Sequence, residues 1–345
     1  MEINNCDGCG GKVEFNSQTK ALQCIKCGNL YPIEYKQNTK KHPIDWIPDG
    51  NKVDSWIDSN RAWNCDVCGA KVIFNKYAIA TNCQYCHADA LIPVGALPGL
   101  KPEKIIPFKI TKGHAKAEFA KRIKTKKFLP NEFKHNLPKI DLGATYLSGF
   151  TFAGVVDATY QGRERHTRTV RSSDGRSSTE VYYTNFSGQI VQHYPNVLIE
   201  SSDKINQTEI DEILPYDFDE SFDYDDDFVK GYSVGYYNKD IKEAESQAKK
   251  VMFDDIESRI RSNHTSIDSL TINPIYSNIE YNYILLPVYF ITYDYKNKKY
   301  INLMNGQTGA LGGKVPRSRA KIAILILFIL LVIGLPALLI IMSML

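Results

Sequence analysis

Eight cysteines lie within the first 86 residues, and they form four Cys-x-x-Cys pairs. Two thiolates spaced in this way share one tight turn, and two facing turns complete a tetrahedral site of four sulfurs. In a reducing compartment this pattern favours metal binding over disulfide bonds. We therefore predict two structural Zn²⁺ ions, one bound by the first four cysteines and one by the last four: Cys6, Cys9, Cys24 and Cys27, then Cys65, Cys68, Cys83 and Cys86.

The two cysteine groups belong to two copies of one module. Residues 6–16 and 65–75 share Cys, Asp, Cys, Gly, Lys, Val, Phe and Asn at one fixed offset, and the second pairs keep that offset. A module of about 25 residues cannot bury enough apolar surface to fold alone, so the metal would supply its folding energy. His87 stands where the first copy has Gly28. Since four cysteines already complete the site, we expect His87 not to bind metal.

Composition and turn signals divide the chain into a multidomain α+β protein. Two small β zinc ribbons precede an α+β body of antiparallel strands with two main helices, and one C-terminal transmembrane helix follows. A Pro/Gly-rich stretch marks the clearest boundary. The predicted units are zinc ribbon 1 (1–31), a Trp-containing connector (32–62), zinc ribbon 2 (63–93), a linker (94–104), the α+β domain (105–310), a basic segment (311–321) and the transmembrane helix (322–343).

Two helices are predicted in the α+β body. The first, from His114 to Lys127, has an apolar stripe of Ala115, Phe119 and Ile123 among basic residues. That stripe either packs on the sheet or lies on anionic lipid headgroups. The second, from Asp240 to Arg261, carries a core-facing row: Ile241, Ala244, Ala248, Val251, Met252, Ile256 and Ile260. Antiparallel strands follow both helices, so the body could consist of two related halves.

Three further segments leave alternatives open. Turns are predicted at Gln161–Gly162 and Ser187–Gly188, which makes the arginines of residues 163–176 an exposed hairpin tip. Those arginines are either solvated or bind phosphate, lipid headgroups or the acidic tract. The acidic tract at 209–227 fails the EF-hand spacing and is predicted to be a solvated loop. The tryptophans of the connector either cover the ribbons or anchor a partner.

The C-terminal residues are the basis of a predicted membrane anchor. Residues 322–342 contain no charge and are almost purely apolar, and twenty-odd helical residues span roughly the 30 Å of a bilayer core. Four basic residues precede them, which predicts a single-pass protein of the cell membrane with a cytoplasmic body and an outside C-terminus. The first five residues lack the features of a signal peptide.

The sequence does not indicate an enzyme. It has no phosphate-binding loop, no His-Glu-x-x-His and no nucleophile elbow, and its seven histidines are scattered. The formal net charge of +3 does not predict a nucleic-acid partner. Nucleic-acid binding through the ribbons and the basic region 101–139 remains an alternative, although neither ribbon has a dense basic stripe interleaved with aromatic residues.

Several motifs together resemble a known bacterial family. The ribbons are similar to those of transcription factor IIB, and the chain adds Ile105-Ile-Pro-Phe108, the stretch 286–293 (Leu-Pro-Val-Tyr-Phe-Ile-Thr-Tyr) and Asn305-Gly-Gln-Thr-Gly309. The family consists of membrane-anchored double zinc-ribbon proteins from envelope-stress operons that also encode phage-shock (PspA-like) and SPFH-like proteins. Residues 148–150 depart from its pattern. We predict a scaffold that holds cytosolic partner proteins at the membrane, and the resemblance implies that these partners are PspA-like and SPFH-like proteins. A homo- or hetero-oligomer is left open.

Overall fold

The computed structural model describes residues 4–46, 60–75, 82–94, 100–173, 175–202 and 204–334. Its strands are β1 (Val13–Asn16), β2 (Ala21–Cys24), β3 (Leu30–Pro32), β4 (His42–Pro43), β5 (Asn60–Cys65), β6 (Lys71–Asn75), β7 (Leu91–Val94), β8 (Lys104–Ile105), β9 (Asp141–Arg171), β10 (Ser177–Glu200), β11 (Phe222–Asp223), β12 (Ser233–Gly235), β13 (Ile267–Tyr295), β14 (Lys298–Asn305) and β15 (Leu311–Gly313). The helices are α1 (Lys112–Thr125), α2 (Asn131–His135), α3 (Gln207–Asp211), α4 (Ile241–Ser262) and α5 (Arg319–Ile329).

Three long antiparallel strands form the centre of the main sheet. β9 pairs with β13 on one side and with β10 on the other, in the spatial order β10-β9-β13. β13 ends its pairing at Ile267, opposite Glu164, so the β9–β10 hairpin extends beyond it. We call this end of the hairpin, residues 163–171 and 177–185, the arm; beyond Glu164 it has only two strands. Both faces of the arm are largely exposed.

Helix α4 covers one face of the three long strands. Its buried row is Ala244, Ala248, Met252, Ile256 and Ile260, which packs against residues such as Phe152 and Tyr281. The apolar period of the sequence predicted this helix to within one residue at each end. Val251, which was predicted to face the core, is 39% exposed.

Helix α1 also packs into the body. Ala115, Phe119 and Ile123 are fully buried, and the ring of Phe119 lies 5.8 Å from that of Tyr293. The apolar stripe is therefore occupied by the sheet and is not free to bind lipid. The lysines around it remain on the surface.

Two regions that were predicted to be turns or loops contain regular secondary structure. Gln161–Gly162 and Ser187–Gly188 are not turns, because both pairs lie inside continuous strands. The acidic tract is not a solvated loop either. It contributes to α3, the short strand β11 and two 3₁₀ turns, and its Ile210 and Ile213 are buried, as is Phe228 directly after it.

The predicted transmembrane helix is also wrong. Up to Gly334, where the described residues end, no helix combines the length and the apolar character that crossing a bilayer requires. α5 has 11 residues and rises about 16 Å, half of the roughly 30 Å needed, before a π-helical turn at Leu330–Gly334. The fold class therefore loses its C-terminal span, and the single-pass placement in the cell membrane is corrected with it. Residues 335–343 lie outside the described residues.

Candidate metal centres

Each of the four Cys-x-x-Cys pairs forms the same tight turn. In the first turn, the N–H of Gly10 donates to the carbonyl of Cys6 at 2.8 Å, and the N–H of Cys6 donates to the carbonyl of Gly11 at 2.7 Å. The turns that begin at the other three cysteines repeat both bonds at the same spacing: Cys24, Cys65 and Cys83. These bonds hold the two thiols of a pair on one side of the turn.

The two pairs of each ribbon face each other. The Sγ atoms of Cys6 and Cys27 lie 3.5 Å apart, and those of Cys65 and Cys86 lie 3.6 Å apart. Within each ribbon all four Sγ atoms lie within 4.8 Å of one another. A tetrahedron with metal–sulfur bonds near 2.3 Å has sulfur–sulfur edges of about 3.8 Å. Both clusters of cysteines are therefore close enough to hold one metal ion each, as two structural metals require.

One thiol in each cluster is already acidic. The pKa of Cys6 falls to about 6, chiefly because the hydroxyl of Tyr31 hydrogen-bonds to its sulfur. The pKa of Cys68 falls to about 5, chiefly because of its hydrogen bond with the thiol of Cys83. The thiolate is the form that binds metal, so each cluster presents an ionised sulfur near neutral pH.

His87 has a backbone role in the second ribbon. It ends its turn with a φ of 59°, the left-handed region in which Gly28 ends the equivalent turn of the first ribbon. The Nδ1 atom of its ring lies 3.1 Å from Oδ2 of Asp141. His87 is not among the four donors of its cluster, in agreement with the expectation from the sequence.

Ribbon 2 is part of the main sheet. β5 pairs with β6 and β7, β6 pairs with β12, and β12 lies parallel to β9. Cys65 and Cys83 are fully buried in the same hydrophobic cluster as Leu147 and Phe290. The second metal centre is thus built into the body.

Ribbon 1 forms its own three-stranded sheet of β1, β2 and β3, and it packs on the body through aromatic residues. The ring of Phe15 lies 5.7 Å from Phe228, and the ring of Tyr35 lies 4.7 Å from Phe222. The N–H of Phe15 also donates to the carbonyl of Lys230 at 3.0 Å. The segment that was predicted to be a solvated acidic loop is therefore the surface on which ribbon 1 sits.

A cavity of about 270 Å³ lies between ribbon 1 and the body. Four aromatic rings and several polar residues line it: Phe15, Lys20, Tyr35, Pro107, Phe108, Lys109, Glu220, Phe222 and Gln307. Lys109 forms an ion pair with Glu220, which lowers the pKa of that carboxyl group. The charge of Lys20 also lowers the pKa of Glu220, to a smaller extent. This cavity was not predicted, because its walls come from segments distant in sequence.

The Asn-Gly-Gln-Thr-Gly turn also has a structural role that the sequence did not reveal. Asn305 is fully buried, and its Nδ2 donates to the carbonyls of Ile213 at 2.9 Å and Pro215 at 3.1 Å. Its Oδ1 accepts from the N–H groups of Gln307 and Thr308. The turn therefore fixes the segment that follows α3.

The tryptophans of the connector are divided between the body and ribbon 2. Trp46 stacks on His42 with ring centroids 3.6 Å apart, and His42 in turn bonds Glu103 of the body at 2.6 Å. Trp63 packs against the cluster beneath ribbon 2. Trp56 lies outside the described residues.

Part of the predicted basic region is neutralised by acidic partners. Lys104 is buried and bonds Asp223 at 2.6 Å, and Lys109 is paired with Glu220. The arm is a second basic surface. Arg163, Arg165 and Arg171 are at odd-numbered positions of β9 and so share one face. Arg163 forms an ion pair with Asp268 and lies 4.4 Å from the ring of Tyr183.

Comparisons with known proteins find a similar protein whose name assigns it no activity. No family model matches the chain, and no solved structure matches it. The chain is similar to the Uncharacterized protein YdjG of Bacillus subtilis (strain 168), with 28% identity over 323 residues, which is 92% of this chain and 91% of the relative. The similarity extends over nearly the whole length of both proteins. The chemistry must therefore be argued from the sites themselves.

Proposed function

We propose that this protein is a non-enzymatic adaptor that binds partner proteins, with one structural Zn²⁺ in each ribbon. The observation that carries the proposal is the aromatic cavity where ribbon 1 meets the body. Apolar pockets with a few polar groups at the rim are typical binding sites, and a single apolar anchor in such a pocket often dominates a protein interface. The absence of catalytic motifs from the sequence supports a binding role over an enzymatic one.

Zinc is the metal that this donor set favours. Four thiolates at tetrahedral spacing select Zn²⁺ or iron–sulfur chemistry, and closed sites of four cysteines in small β-ribbons are characteristic of structural zinc. Zinc in ribbon 1 would hold Phe15 in the wall of the cavity. The zinc would then act on binding indirectly, by fixing the shape of the site.

The resemblance to the envelope-stress family supplies the class of partner. On that basis we propose PspA-like and SPFH-like proteins as the partners. The cavity favours an apolar or aromatic side chain as the anchor, because four of its lining residues are Phe or Tyr. Lys20 in the lining favours a carboxylate beside that anchor.

The test is a binding measurement with purified full-length protein and purified PspA-like or SPFH-like protein. Phe222→Ala removes one wall of the cavity and is expected to weaken binding at least about tenfold. Leu30→Ala is the matched control, because Leu30 is an exposed apolar residue of ribbon 1 that does not line the cavity. The proposal fails if neither protein binds, or if both variants bind like the wild type.

Nucleic-acid binding is the second candidate, and the basic face of the arm favours it. A two-stranded β-ribbon with arginines on one face fits the major groove of a duplex. The double variant Arg165→Gln/Arg171→Gln would then weaken DNA binding and reduce its salt dependence. Arg168→Gln is the control, since Arg168 lies on the opposite face and pairs with Glu180. DNA retention that is independent of salt or of these arginines excludes this candidate.

A further inference from the structure

The outer edge of β10 is long and unpaired. β10 pairs only with β9, so in the described part of the chain its second edge has no strand partner from Ser177 to Tyr194. Every second residue of such a strand points its N–H and C=O away from the neighbouring strand. At about 3.3 Å per residue this edge is about 60 Å long. Apart from β13, and β9 beyond Glu164, the other outer strands in the described residues are short, with two to four residues each: β1, β3, β4, β7, β11 and β15.

Side chains from elsewhere in the body satisfy the outward backbone groups of the final residues of β10, whereas in the open part the side chain of Gln192 donates to the carbonyl of its neighbour His193. The side chain of Gln207 donates to the carbonyl of Leu198, and Lys239 donates to the carbonyl of Glu200. A bulge between Tyr194 and Val197 separates this covered end from the open part. The open edge therefore begins where the body's own side chains stop covering the strand.

The edge also lacks the features that normally prevent strands from pairing with other chains. Folded proteins protect exposed edges with lysine, proline, inward charges or bulges. Residues 177–194 contain no Lys, Arg or Pro, and their one acidic residue, Glu180, is already paired with Arg168 on the neighbouring strand.

The opposite edge of the β10-β9-β13 unit, formed by β13, has the protective features that the edge of β10 lacks. Over residues 267–279, β13 also lacks a second strand partner among the described residues. That stretch carries Pro274, and register shifts interrupt it between Ile267 and Ser269 and again between Ser277 and Glu280. One edge of the unit is thus protected and the other is open.

Pro274 also tells which residues of β10 point outward. Proline has no N–H, so a strand tolerates it at a position that does not hydrogen-bond the neighbouring strand. Pro274 of β13 therefore marks a pair with Ala158 of β9 that is not hydrogen-bonded. The backbone N–H and C=O of Ala158 must then point to β10. Ala158 pairs with Ile190. Ile190 therefore bonds β9, and the N–H of Val191 points outward.

We propose that β10 pairs antiparallel with β10 of a second copy of this chain, which joins two three-stranded units into one six-stranded sheet. A second copy fits because it presents the same unprotected edge, of the same length, in an arrangement with two-fold symmetry. Antiparallel pairing about that axis brings like charges together only in the register centred on Glu180. In every other register within residues 177–194, Glu180 lies opposite a residue that is not acidic.

The test uses purified full-length protein with the photo-crosslinker p-benzoylphenylalanine at position 191 or at position 275. Val191 and Ile275 both lie opposite Asp157, one on each outer strand, and both are exposed, which makes position 275 a matched control. An equal mixture of ¹⁴N- and ¹⁵N-labelled chains identifies bonds between copies by mass spectrometry. We expect position 191 to crosslink to residues 177–194 of the other copy, with position 275 giving at least about tenfold less.

A second variant separates pairing from misfolding. Val181→Pro/Val191→Pro removes two outward N–H groups but leaves the bonds to β9. It is expected to abolish the β10 crosslink, followed with the probe at position 187, while the circular dichroism and metal content stay unchanged. The proposal is overturned by equal crosslinking at 191 and 275, by no covalent dimer from position 191 at tens of micromolar protein, or by dimers that survive the double proline.

Discussion

The ring of Tyr160 lies directly over Gly188, its cross-strand neighbour in the β9–β10 pair. A Cβ atom on Gly188 would be 2.6 Å from Cζ of that ring, and Phe186 covers Gly162 in the same way two positions along. The two glycines are present so that aromatic side chains from the opposite strand can lie flat on the sheet. They are therefore positions of close approach within continuous strands, where the sequence predicted turns.

Gly188→Val is expected to destabilise this part of the sheet by about 1–3 kcal/mol, because the new side chain must displace Tyr160. Hydrogen exchange of the amides of residues 155–165 measures the local effect. Ser187→Val is the control, since Ser187 is exposed and valine is favourable in strands. Equal protection in the wild type and Gly188→Val would contradict the close approach.

Asn305→Ala is expected to cost about 2–3 kcal/mol of unfolding free energy. The change leaves the carbonyl of buried Ile213 without its donor and also removes the bond to the carbonyl of Pro215. Thr308→Ala, in the same turn but exposed, should change stability by less than about 0.5 kcal/mol. Denaturant unfolding of the two variants compares them, and similar midpoints would argue against the clamp.

The two ribbons should respond differently to loss of their metal. Cys83→Ser is expected to lower the thermal stability of the whole body, because ribbon 2 shares the main sheet through β6 and β12. Cys24→Ser should release only ribbon 1, so that proteases cut residues 4–35 while the body survives. Limited proteolysis together with thermal unfolding distinguishes the two outcomes. Global unfolding by Cys24→Ser would show that ribbon 1 is not a separate unit.

Acid is expected to remove the metal from both ribbons. The pKa values of Cys6 and Cys68, about 6 and about 5, lie below the ordinary value of 9.0. A depressed pKa contributes stability that is complete above the unfolded value and is lost as the pH falls through the folded one. Metal binding adds to this, because protons compete for the same sulfurs. A colorimetric chelator should detect release below about pH 6 and none at pH 9, and the reverse order would contradict thiolate ligation.

The sequence was informative wherever one short stretch determines the geometry. The Cys-x-x-Cys spacing predicted both cysteine clusters, and the apolar period of residues 241–262 predicted helix α4. It failed where a residue's role depends on a distant partner. Gly162 was predicted to be a turn, but it lies in a strand where the ring of Phe186 packs over it. The acidic tract was predicted to be a loop, but the region forms the surface where Phe15 of ribbon 1 contacts Phe228. The C-terminal apolar run led to the wrong prediction of a transmembrane helix, because apolar composition alone does not determine how long a helix is.

The central claim is that two closed sites of four cysteines hold zinc and shape the protein. Elemental analysis of the purified full-length chain by inductively coupled plasma mass spectrometry, with a parallel count of free thiols, tests it most directly. We predict two zinc ions per chain, falling to one in Cys24→Ser and to one in Cys83→Ser, with no disulfide bonds. A chain that carries no metal, or whose eight cysteines are joined as disulfides, would contradict the account.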